Sequence, residues 1–60
     1  MINEDEVNGV INAMLRYGGS FVRALGEALS HADSVNQQKI KDTWPEYWKR
    51  YKEMGEDKNE

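Results

Sequence analysis

Two stretches of this sequence hold residue types that can recognise a ligand or a partner. The first is Tyr17-Gly18-Gly19-Ser20, with Arg16 before it and Arg23 just after it. If a helix begins at Ser20, its free backbone N–H groups, the Ser20 hydroxyl and the Arg23 side chain can hold a phosphate or a carboxylate. Arg16 and Arg23 can add charge-assisted hydrogen bonds. The same residues also make a plain tight turn between antiparallel helices, with Ser20 as its cap, and that is the simpler reading. A phosphate loop is excluded, because no Gly-Lys-Ser/Thr follows at the required spacing.

The second stretch is the aromatic stripe Trp44, Tyr47, Trp48 and Tyr51, spaced i, i+3, i+4 and i+7. Such spacing puts all four rings on one face of a helix. They can fill a small core, anchor an oligomer or partner interface, or stack on bases. Lys49, Arg50 and Lys52 flank them and can neutralise a nucleotide or simply form the solvated face. Two Trp and two Tyr on one helix face is more than a 60-residue monomer usually needs.

Catalytic chemistry is poorly supplied. His31 with Asp33 is the one acid–base pairing, and the chain has a single His and no Cys. No nucleophile stands at a defined spacing from a base, so no enzyme and no catalytic residue is expected. His31 falls near a helix C-terminus, where a cation is favoured. Asp33 and Asn36 read as cap residues. One imidazole without a thiolate makes no metal site, and no cofactor is expected.

These residues have to be positioned by helices. Val7, Val10, Ile11, Met14 and Leu15 follow an amphipathic helical stripe. Asn3 or Asp5 caps its start, and Gly18 suits its end as a left-handed residue. Helix 1 is expected at about 5–17. With Ser20 as N-cap, Phe21, Leu25, Ala28, Leu29 and Ala32 predict helix 2 over 20–32. Gly26 inside it costs about 1 kcal/mol relative to Ala and is read as a point of close helix packing. Ala24, Ala28 and Ala32 form a small-residue ridge that lets another helix approach. Asp33 or Ser34 starts a third helix, which ends before Pro45. Thr43 and Glu46 have capping-box spacing around Pro45, and helix 4 is expected over 45–54. The fold class is therefore all-α, with three to four short helices and a helical hairpin across Gly18-Gly19. Residues 1–54 form one small helical domain, and 55–60 are expected to be a disordered acidic tail.

Size and charge limit the rest. A folded chain of 60 residues exposes roughly 4,000 Å² against about 10,000 Å² unfolded, burying only about 60%. Hydrophobic gain and chain entropy then come close to cancelling. With no disulfide and no metal, assembly as a homo-oligomer is the expected source of extra stability. The net charge of −3 is unevenly spread: residues 1–15 carry −3, residues 16–52 carry +3 and residues 53–60 carry −3. No strong basic excess exists, so nucleic acid is an improbable partner. There is room for an acidic partner or a small anionic ligand. No run of about 18 apolar residues is present, so no membrane span is expected. The acidic start is the opposite of a secretory leader, and a cytoplasmic location is expected.

The string Tyr17-Gly18-Gly19-Ser20-Phe21-Val22-x-Ala24-Leu25, then Ala28, Ala32-Asp33-x-x-Asn36, Ile40 and Trp44-Pro45-x-Tyr47-Trp48-x-x-Tyr51, resembles small hypothetical proteins of phages and prophages. Their second half commonly reads AD-x-x-N and then FPEYW-x-x-Y, so Trp44 stands where Phe is common. The resemblance spans about residues 17–51 and implies a biological setting, a phage accessory protein, without a mechanism. Such proteins often counter host defence by binding, and that is what the resemblance implies here. The expectation is a non-enzymatic phage or prophage accessory protein that inhibits a host antiviral defence component by protein–protein contact. One alternative is a homo-oligomeric sponge for a small anionic nucleotide immune signal, with Arg16, Ser20 and Arg23 on the phosphate and Tyr17 or Trp48 stacked on the base. Another is a structural or regulatory accessory subunit without a ligand. DNA-binding control ranks last, because helix 2 has few polar side chains to read a groove.

Overall fold

The computed structural model describes residues 3–57 of the chain, and every element in it is a helix. These are α1 (Glu4–Tyr17), α2 (Ser20–Ser30), α3 (Ser34–Thr43) and α4 (Pro45–Asp57). Asn3 starts α1: its side-chain oxygen accepts from the backbone N–H of Asp5 at 2.8 Å and of Glu6 at 3.2 Å. Glu4, Asp5 and Glu6 occupy the first turn and Arg16 the last, matching the helix dipole at both ends. Asp33 starts α3 in the same way, accepting from Asn36 N–H at 2.9 Å.

Three local expectations need correction. Gly18 is extended (φ −80°, ψ 155°) and not left-handed. What it supplies is space: a Cβ there would stand 2.6 Å from the Met14 carbonyl oxygen and 2.6 Å from Val22 Cγ1. Ser20 is the first residue of α2 and not its cap; extended Gly19 is the cap, with no side-chain bond. Thr43 and Glu46 form no capping box, because Thr43 is still the last residue of α3 and only Trp44 separates it from Pro45. The Trp44 carbonyl instead accepts from the Trp48 N–H at 3.1 Å.

Two boundaries also move. Helix 2 stops at Ser30, and His31 is its C-cap, donating its N–H to the Ala28 carbonyl. At the other end α4 continues past Met54 to Asp57, so part of the expected tail is helix. Gly55 lies against the backbone of α1, where a Cβ would come within 3.0 Å of the Gly9 carbonyl oxygen. The remainder of that expected tail, 58–60, lies outside the described residues.

The core is built on α1, which packs against both α2 and α4. Val7, Val10, Ala13 and Met14 of α1 meet Val22, Leu25 and Leu29 of α2 and Trp48 and Tyr51 of α4. Gly26 does mark a close approach: a Cβ there would be 2.9 Å from Met14 Cβ. Helix α3 buries no residue fully and contributes Ile40 to the edge of the core. Its thin apolar face leaves it as a strap between α2 and α4. The Cα radius of gyration is 10.3 Å, close to the ~10.4 Å of a compact chain this long.

Candidate functional site

The aromatic stripe divides into two parts. Trp48 and Tyr51 are core residues, 3% and 7% exposed. The Trp48 indole donates Nε1–H to Glu6 Oε2 at 2.6 Å. Lys41 Nζ lies 3.5 Å from the same oxygen and 5.6 Å from the centre of the Trp48 ring. The indole hydrogen bond, aided by the charges of Lys41 and Lys52, holds the Glu6 carboxyl below its ordinary value, against the opposing effect of burial. Trp48 therefore has no free face on which a base could stack, and the sponge geometry that used it is overturned.

Trp44 and Tyr47 are half-buried, and they meet a residue of another helix. Phe21, at the start of α2, packs edge-on against Trp44 with ring centres 6.0 Å apart, and tilted against Tyr47 at 6.1 Å. Phe21 itself is 54% exposed. Three rings, Phe21 of α2, Trp44 at the α3–α4 junction and Tyr47 of α4, thus form one surface cluster. Beside it runs a groove of about 400 Å³ between α2 and α3, lined by Ala28, His31, Ala32, Asn36, Lys39, Ile40, Thr43 and Trp44. Among the described residues its ionisable lining groups are His31 and Lys39, with no acid. Ala24 and Ala28 of the small-residue ridge are exposed on the same helix as Phe21.

The other candidate residues are not gathered together. Arg16 and Tyr17 line a second groove, of about 580 Å³, between α1 and α4; Gly9, Asn12, Ala13, Leu15, Met54 and Gly55 complete it. Gly18, Gly19, Ser20 and Arg23 are not in that lining. Gly18 and Gly19 act as the tight turn, while Ser20 and Arg23 are exposed at the start of α2. The expected phosphate cradle of Arg16, Ser20 and Arg23 is thus divided between a groove and a helix end. Lys49 and Arg50 are exposed, whereas Lys52 is half-buried and its charge acts on Glu6.

Three features were not read from the sequence as site residues. Phe21 was placed on the inner stripe of helix 2, yet Val22, Leu25 and Leu29 take that face. The hint was Val22, an extra apolar residue next to Phe21 that one stripe cannot hold. The Glu6–Lys41–Trp48 arrangement joins three helices, and no periodicity encodes it. Gly9 and Gly55 meet only in three dimensions. Comparison with protein-family models, with curated proteins and with solved structures gives no match to this chain.

Proposed function

We propose that this chain acts by binding a protein partner on the face formed by α2, α3 and α4, without catalysing a reaction. The observation that carries this reading is Phe21, a large ring left half in water while two other rings hold it in place. Aromatic side chains so fixed lose little entropy on binding and are favoured as interface anchors. The exposed Ala24 and Ala28 give a shallow track along which a partner helix can lie. His31 and Lys39 on the groove suit a partner segment with acidic residues. The resemblance to small phage proteins supports a host antiviral defence component as that partner, and hence an inhibitor acting in the host cytoplasm.

Self-association belongs to the same reading. Nine apolar side chains are buried among the described residues, a small core for a chain without disulfides. A homo-oligomer presenting several copies of the aromatic face would also gain avidity.

The test is a quantitative pull-down from bacterial host lysate with wild type and three variants. Phe21→Ser and Tyr47→Ser should each lose the enriched protein while keeping the helical circular dichroism of wild type. Val35→Ser changes an α3 residue that is 63% exposed and outside the cluster, and should keep it. Equal capture by all four proteins would sink the assignment to this face. No specific capture by wild type would favour the ligand-free accessory subunit.

A further inference from the structure

Three of the five glycines have a steric reason: Gly18, Gly26 and Gly55 would each bring a Cβ to 3.0 Å or less from a neighbouring atom. Gly19 has open space around it and ordinary extended backbone, but it caps α2, where glycine is a common residue. Gly9 has no such reason. It sits inside α1, where glycine weakens the helix, and a Cβ there would meet nothing within 4 Å. Gly9 lines the groove between α1 and α4, and there it presents bare backbone with open space above it.

We infer that this groove is a binding site for a small aromatic anion with the chemistry of a nucleoside monophosphate. Its volume of about 580 Å³ lies in the ~300–1,000 Å³ range of small-molecule sites. Among the described residues, Arg16 is the one charged group in its lining. A guanidinium grips a phosphate through two parallel hydrogen bonds and also stacks on flat rings. Tyr17 is 57% exposed and Leu15 37% exposed, so an aromatic ring and an aliphatic surface face the open space. Met54 adds a polarizable side chain that packs well against aromatic ligands, and Asn12 can pair with polar ring edges. Arg16 stands in the last turn of α1, so its guanidinium offsets the negative end of the helix there. The phosphate lies at that guanidinium, with the ring over Leu15, Met54 and the open position above Gly9.

This site shares no residue with the aromatic face of α2 and α4, so either reading can fail while the other stands. The test is a ¹⁵N NMR titration with AMP, and in parallel with adenosine and with inorganic phosphate. AMP should perturb Gly9, Asn12, Tyr17 and Gly55 and the Arg16 side chain. Adenosine and phosphate alone should each bind at least about tenfold more weakly. Gly9→Leu, which fills the groove, should abolish the AMP shifts. Arg16→Gln, at an exposed position, should weaken AMP about tenfold or more and leave adenosine unchanged. If Gly9→Leu fails to fold, Arg16→Gln decides alone. The inference is overturned by an absence of AMP shifts, by shifts centred on Ser20 and Arg23, by adenosine binding as well as AMP, or by Arg16→Gln binding AMP like wild type.

Discussion

Glu6 answers to two other helices. Its carboxylate accepts from the Trp48 indole of α4 and lies beside the Lys41 ammonium of α3, while Glu6 itself belongs to α1. Glu6 lies in the first turn of α1, where its charge suits the dipole, and no periodicity in the sequence signals this second role. Likewise the spacing of the aromatic stripe was legible, whereas the division into buried Trp48 and Tyr51 and half-buried Trp44 and Tyr47 was not. Burial depends on what lies opposite, and the ring opposite Trp44 and Tyr47 is Phe21, 23 or more positions earlier in the chain. Because the fold holds the Glu6 carboxyl below its ordinary 4.5, its ionised form stabilises the folded state. That contribution is complete above the ordinary glutamate range and is lost as the pH falls through the lower folded value. Glu6→Gln should therefore lower stability by about 1 kcal/mol at neutral pH, and the difference from wild type should vanish in strong acid. Trp48→Phe removes the indole donor, leaves Lys41 as the carboxylate's partner and leaves space in the core, and should cost about 1–3 kcal/mol. Urea denaturation at a series of pH values measures both. A pH-independent Glu6→Gln effect would mean that the charge contributes nothing.

At the scale of the elements, existence was easier to read than ends. The apolar spacing of α1 and α2 and the Pro45 start of α4 were all in the sequence, because burying one helix face imposes a periodic pattern. The end of α4 was missed because Gly55-Glu56-Asp57 has the composition of a solvated tail. What extends the helix there is tertiary, the fit of Gly55 on the Gly9 backbone, and composition carries no trace of it. Gly18 was read for its freedom of conformation when its lack of volume was the operative property. The glycines therefore make a graded test. Gly9→Ala places a methyl group in open space and should stabilise the chain by about 1 kcal/mol through helix propensity alone. Gly26→Ala drives a Cβ to 2.9 Å from Met14 Cβ, so overpacking of about 1–3 kcal/mol should outweigh the same propensity gain. Gly18→Ala meets a backbone carbonyl at 2.6 Å, an atom that cannot swing aside, and should be the most damaging of the three. Thermal melts of the three variants give the order directly.

For the whole molecule, the quantity that matters is how little it can bury. The chain leaves 4362 Å² accessible, near the roughly 4,000 Å² expected of a chain this long. The acidic ends and basic middle were evident from composition, and the structure turns them into a local pattern: acids in the first turn of α1, His31 and Lys39 on the α2–α3 groove. Homo-oligomerisation makes a specific claim at this scale. The melting temperature should rise with protein concentration, since association stabilises by mass action, and sedimentation should give a mass above that of one chain. A concentration-independent melt with a monomer mass would leave the aromatic face as a surface for other proteins only.

The hydrogen bond between Glu6 and Trp48 spans 42 positions of the chain. Forming it closes a loop whose entropic cost is about 3 kcal/mol plus a constant, whereas the α1–α2 hairpin closes over Gly18-Gly19 alone. The two halves of the core therefore differ in kinetic character: one assembles locally, and the other waits on the return of α4 to α1. Trp48 leaves water only in that second event. With Trp44 replaced by Phe, its fluorescence becomes a built-in clock for the non-local step of folding.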